Sequence, residues 1–163
     1  MKYLGIDVGG TNIAVGIVDE NDEIVAKVSN KTPTPCSEEA FCDCVAKTAF
    51  QAMEKAGVTL EELPWTGLGC PGTINRATGI VEFSNNLGFS NFPVKKMLEE
   101  RFGGKEVIIE NDANAAAYGE FQAGALKGAV NAVAITLGTG VGSGIIIDGK
   151  IYSGSNFAGG EMG

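Results

Sequence analysis

The chain has 163 residues, 44% hydrophobic and 20% charged, enough for an ordinary folded core and unlike an intrinsically disordered segment. Its formal net charge of −8 argues against a nucleic-acid-binding face and against adhesion to an anionic membrane surface. There is no histidine, so catalytic schemes built on an imidazole base are excluded within this chain, and a base must be a carboxylate, lysine or tyrosine.

Residues 3–8 read as a buried strand with an acid at position 7, where a signal peptide would need unbroken apolar sequence. No apolar run approaches the ~20 residues that cross a bilayer, so a cytoplasmic location and no membrane partner are expected. Residues 12–18 alternate and are rich in β-branched side chains. Asp19-Glu20-Asn21-Asp22 is a turn, and residues 23–29 read as a third strand, giving an antiparallel meander. Ser37 reads as the N-cap of a helix whose apolar stripe runs through Phe41, Val45, Ala49, Ala52 and Ala56 to a stop at Gly57. Thr59 and Glu62 form a capping-box pattern for one short turn.

Thr66 to Cys70 reads as a short buried strand ending in Pro71-Gly72, and residues 94–102 as a helix stopped by Gly103-Gly104. Residues 107–110 form another buried strand, followed by an alanine-rich helix over 114–125. Residues 132–137 and 144–147 read as strands, and Asp148-Gly149 as a hairpin turn leading into Lys150. The order βββαβαβα, then a new hairpin block, predicts an α/β domain over 1–125 and the beginning of a second domain over 126–163. The last residues, Phe157 to Gly163, have loop composition, and the working protein is expected to continue beyond them. Cys36, Cys42, Cys44 and Cys70 contain no C-x-x-C pair, so free thiols are expected.

The 24 glycines, roughly twice ordinary usage, cluster at 9–10, 67–72, 138–144 and 159–163, between predicted elements. In Gly5-Ile6-Asp7-Val8-Gly9-Gly10-Thr11-Asn12, a strand delivers an acid to a Gly-Gly turn. Such a turn can present bare backbone N–H groups to phosphate oxygens, Thr11 adds a hydroxyl, and Asp7 is placed to hold a hydrated Mg²⁺. Leu137-Gly138-Thr139-Gly140-Val141-Gly142-Ser143-Gly144 repeats the logic between two more strands. Neither is a Walker A loop or a dinucleotide fingerprint, since no helix follows the glycines. The pair suggests two half-sites on one polyphosphate.

Asn111-Asp112 stands where a buried strand meets a helix. Asp112 could be only an N-cap, but a carboxylate beside a transferring phosphoryl group can also take the proton of the attacking alcohol. Asn86 and Glu161 are residue types suited to reading vicinal hydroxyls.

Taken in order, D-V-G-G-T at 7–11, C-P-G-T at 70–73, N-N-L at 85–87, E-N-D-A-N-A-A at 110–116, L-G-T-G-V-G at 137–142 and the terminal G-G-E-M-G resemble the ROK family of repressors, open reading frames and kinases. The resemblance implies a ribonuclease-H-like, actin-like ATPase fold: a mixed sheet with an antiparallel three-stranded meander, parallel strands and flanking helices. It implies a sugar kinase close to the glucokinase branch, with ATP and Mg²⁺ as cofactors and a hexose, glucose first, as substrate. By it, residues 5–12 with Gly138, Thr139, Gly140, Val141 and Gly142 hold ATP phosphates. Asp112 is the base, and Gly72, Thr73, Asn86, Asn111, Asp112 and Glu161 contact the sugar. A homodimer or higher homo-oligomer is expected. Family members continue with a histidine and a cysteine-rich loop, so the expected structural Zn²⁺ would be bound by residues outside this chain, which alone should have little kinase activity. A sugar-sensing repressor of the same family is the alternative; those carry a DNA-binding domain ahead of the first glycine turn, which here starts at residue 7. A sugar-binding module without catalysis is a further alternative.

Overall fold

Alternation of small or polar with aliphatic residues makes Lys2–Val8 the first strand, β1, with Leu4, Ile6 and Val8 buried while Gly5 and Asp7 face outward. The computed structural model describes residues 1–138 and 140–162, which build two compact units, Met1–Glu110 and Asn111–Gly163. In the first, β1 pairs antiparallel with β2 (Asn12–Asp19), so that Val8 faces Ile13 across the Gly9–Thr11 turn. β2 pairs in turn with β3 (Ile24–Lys31), with Asn12 opposite Lys31. β4 (Thr66–Cys70) runs parallel to β1 with Asp7 beside Gly69, and the sheet order is β3-β2-β1-β4-β8, where β8 is Val107–Asn111.

The meander, the helices and the mixed sheet match the expected class. Helix α1 (Glu38–Ala56) starts where the Ser37 hydroxyl accepts from Ala40 N–H at 3.2 Å. It ends at Gly57, whose φ of 62° is the left-handed conformation that glycine adopts without penalty. Its buried stripe, Phe41, Val45, Ala49 and Ala52, shares one core with Leu4, Ile6, Ile13, Val15 and Leu68. The 3-10 turn Leu60–Glu62 follows Thr59, whose N–H donates to Glu62 Oε2 at 2.7 Å. Helix α2 (Val94–Arg101) packs beside α1 and buries Val94 and Leu98. All four cysteines are free, and burial pushes the Cys42 thiol up to about 12. No helix among the described residues is long and apolar enough to cross a membrane.

A second sheet, not expected from the sequence, is built from β5 (Thr73–Asn75), β6 (Ile80–Ser84) and β7 (Phe89–Phe92) in antiparallel order. It is anchored by aromatic packing: the Phe41 ring of α1 meets Phe89 at 5.3 Å and Phe92 at 5.7 Å, both edge-on. The turn Asn85–Gly88 between β6 and β7 hangs from this anchor.

In the second unit, helix α3 (Asp112–Ala123) packs on the hairpin of β9 (Ala132–Leu137) and β10 (Val141–Ile147), with β11 (Lys150–Ile151) completing the sheet. The helix begins at Asp112 rather than Asn114, and β10 at Val141 rather than Gly144. A division at 125/126 would put α3 with the first domain. Its contacts with β9 and β10 put it in the second unit, and the chain divides after Glu110.

Phe41 is fully buried at the junction of α1 and the small sheet. Phe41→Ala is expected to cost about 3–5 kcal/mol of unfolding free energy, read from urea denaturation; a loss below about 1 kcal/mol would show that the aromatic anchor is dispensable.

Candidate functional site

Hydrogen bonding around the Gly9–Thr11 turn separates its donors from its acceptors. Gly9 N–H donates to Asn12 O at 2.8 Å and closes the hairpin, so this amide is used internally. Gly9 O accepts from the Thr32 hydroxyl at 2.6 Å, and Thr11 O from Thr32 N–H at 2.9 Å. The Thr34 hydroxyl lies 3.5 Å from Gly10 O, a long contact. Among the described residues, the N–H groups of Gly10 and Thr11 have no acceptor. Two adjacent amides are thus left as open donors beside the exposed Thr11 side chain. The expectation of bare N–H groups at this turn is thus sharpened to Gly10 and Thr11.

Asp7 ends the outward-facing row of β1. It keeps access to solvent, yet partial burial still pushes its carboxyl above the usual 3.8, while Lys27 acts in the opposite direction. Gly5, Ile6, Val8 and Asn12 frame the turn from the two strands, with Gly5 beside Gly16 and Ile6 beside Val15.

The turn also touches one candidate sugar residue of the same unit, Asn86. A Cβ on Gly10 would lie 3.4 Å from Asn86 O and 3.7 Å from Asn86 Cβ, so the two loops touch. Gly72 follows the end of β4 with φ +112°, and a Cβ there would sit 2.2 Å from Phe83 O. That close approach requires glycine at 72 and holds the Cys70-Pro71-Gly72 segment against β6. Thr73 opens β5, opposite Phe83. Ser84, next to Gly72, is fully buried, and its hydroxyl has no partner among the described residues.

In the second unit, Asn111, not Asp112, is the N-cap of α3: its Oδ1 accepts from Asn114 N–H at 3.1 Å. Asp112 is the first helical residue, and its Oδ1 accepts from Ala113 N–H at 2.9 Å. Capping therefore does not account for an acid at 112, although an acid in a first helical turn is favoured by the helix dipole. β9 ends at Leu137 and β10 begins at Val141, earlier than the expected strand; Thr139 lies outside the described residues. Val141 and Gly142 are already in β10. Gly142 and Gly144 have a packing role that the sequence did not suggest. A Cβ at 142 would stand 3.1 Å from Ala113 Cβ, and one at 144 would stand 2.4 Å from Ala117 Cβ, so both glycines let α3 lie close on β10. The Ser143 hydroxyl donates to Gly160 O, and a Cβ on Gly160 would come within 3.5 Å of Asn114 Oδ1. Glu161, the next residue, is exposed, and its N–H donates to Ala158 O at 3.3 Å.

No group of three or more His, Cys, Asp or Glu able to hold a metal occurs among the described residues. Zinc ligation has no candidate there. Mg²⁺ keeps several waters and takes one or two carboxylates plus substrate phosphates, a pattern that a single exposed acid such as Asp7 fits.

The meander sheet, the parallel β1–β4 pair and the glycine turns define an actin-like ATPase fold, shared with solved ROK sugar kinases. The chain belongs to the ROK family, whose model matches residues 3–163. It is 44% identical over 151 residues to a glucokinase of Streptomyces coelicolor, covering 93% of this chain and 45% of that protein. Over 162 residues it is 35% identical to an N-acetyl-D-glucosamine kinase of Haemophilus influenzae, covering 99% and 51% respectively. The crystal structure of a ROK family glucokinase from Streptomyces griseus in complex with glucose and AMPPNP matches with a TM-score of 0.88 and 37% identity, over 98% of this chain and 49% of that one. The chain thus spans about half the length of these relatives.

Partial burial raises the Asp7 carboxyl above its ordinary value. Its ionised form is disfavoured in the fold, so the penalty is absent below pH 3.8 and fully present above its folded value. Asp7→Asn should therefore raise the melting temperature at pH 7, with a gain that shrinks as the pH falls to about 3.8. A pH-independent change, or a loss at pH 7, would contradict this placement of Asp7.

Proposed function

We propose that this chain carries the front part of a sugar kinase that transfers the γ-phosphoryl group of ATP to the 6-hydroxyl of a hexose, glucose first. The observation that carries the reading is the contact of Gly10 with Asn86, which sets unsatisfied amide donors beside an amide suited to sugar hydroxyls. Phosphoryl donor and acceptor must be adjacent for transfer, and most of the catalysis is positioning and charge stabilisation. Gly10 and Thr11 N–H, with the Thr11 hydroxyl, would hold phosphate oxygens. Gly138 and Gly140, ahead of β10, would hold others. Asp7 would keep a hydrated Mg²⁺ in place, and the bound ion would neutralise phosphate charge.

In this reading Asp112 accepts the proton of the attacking hydroxyl, and Asn111, fixed as the cap of α3, orients it. Gly72, Thr73, Asn86 and Glu161 bind the remaining hydroxyls. Glucose is favoured over N-acetyl-D-glucosamine as acceptor because the relatives named glucokinase share the higher identity. A cytoplasmic homodimer or higher homo-oligomer is part of the same proposal and rests on the family resemblance alone.

Asp112→Asn in the full-length protein should lower kcat by about 10²- to 10⁴-fold while leaving hexose affinity near wild type, measured by coupled assay and calorimetry. A normal kcat would remove Asp112 from the role of base.

A further inference from the structure

Which way a peptide turn faces decides whether it attracts or repels a phosphate. In a planar trans peptide the C=O and the following N–H point in opposite directions. Fixing a carbonyl on one side therefore aims the next residue's amide at the other. The Thr32 hydroxyl fixes Gly9 O at 2.6 Å, which aims the Gly10 amide away from the 32–34 segment. Thr32 N–H fixes Thr11 O at 2.9 Å and does the same for the Asn12 amide. Thr34 stands 3.5 Å from the carbonyl between them. Thr32 is 8% exposed, so its bonds face little competition from water.

We propose that Thr32 is a positioning residue for nucleotide binding: its buried side chain holds the Gly9–Gly10 peptide in the orientation that presents the Gly10 amide to a phosphate oxygen. The proposal rests on the reading of Gly9–Thr11 as a phosphate turn. A Gly-Gly linkage is the least restrained in the chain. Without the Thr32 hydroxyl the peptide is free to rotate, and the rotated form points Gly9 O, an acceptor, where the phosphate should lie. Nucleotide affinity then falls by the fraction of molecules left in the competent orientation. The connector from β3 to α1 is thereby part of the binding machinery without touching the ligand.

The test uses the full-length protein with Thr32→Val, which keeps shape and the N–H bond but deletes the hydroxyl, and Thr32→Ser, which keeps the hydroxyl. MgATP and glucose affinities are measured separately by calorimetry, alongside the melting temperature. Thr32→Val should weaken MgATP about tenfold with glucose affinity unchanged, and Thr32→Ser should restore it. A Thr32→Val protein that binds MgATP like wild type overturns the proposal. So does a parallel loss of both ligands with a lowered melting temperature, because that is a folding defect. Wild-type protein that binds glucose but no nucleotide would overturn the phosphate-turn reading itself, a result distinct from a silent Thr32→Val.

Discussion

The candidate site of the first unit depends on the polarity of one turn: the carbonyls of Gly9 and Thr11 are held by Thr32, while the amides of Gly10 and Thr11 have no acceptor among the described residues. The strand register creates this arrangement. With Asn12 opposite Lys31, the next residue beyond the β2–β3 ladder is Thr32, which arrives beside Thr11. The antiparallel meander is thus more than a scaffold edge; its last hydrogen bonds determine which polar groups the turn offers. Unsatisfied backbone donors are costly when buried and useful when a ligand completes them.

Close packing supplies the other positions. On one side, aromatic bulk does the work: Phe41, Phe89 and Phe92 bind the small sheet to α1 and suspend the Asn85–Gly88 turn next to Gly10. On the other, missing side chains do it. Gly72 lets its segment approach the backbone of β6, and Gly142 and Gly144 let α3 settle on β10 against Ala113 and Ala117. Interiors packed at near-crystalline density leave no slack at such points. Glycines that read as phosphate contacts in a sequence can therefore be packing glycines, and at Gly142 the structure shows the packing role directly.

Periodicity made the main elements legible. The alternation in β1 and β2, the stripe of α1 and its two caps at Ser37 and Gly57 all lie where local physics puts them. The small sheet was hidden because β5 has three residues and β6 and β7 are joined by an Asn-rich turn, so short strands read as loop. At the helix α3 boundary, Asn111 and Asp112 are both good caps by type, and only the geometry of Asn111 Oδ1 and Asn114 N–H decides between them. Thr32 carried no signal as a buttress: it falls between the third strand and the Ser37 cap, and its value lies in a tertiary contact with residues more than twenty positions away. The glycine-turn motifs were readable as a set, but which amides are unsatisfied was not.

The proposed function requires the Gly10 and Thr11 amides to be ligands for phosphate. Backbone ¹H–¹⁵N spectra of the full-length protein, titrated with the Mg²⁺ complex of a non-hydrolysable ATP analogue, test this directly. The amide signals of Gly10 and Thr11 should shift in a saturable way, while that of Gly9, already bonded to Asn12 O, moves little. Saturable nucleotide binding with the Gly10 and Thr11 signals unmoved would contradict it.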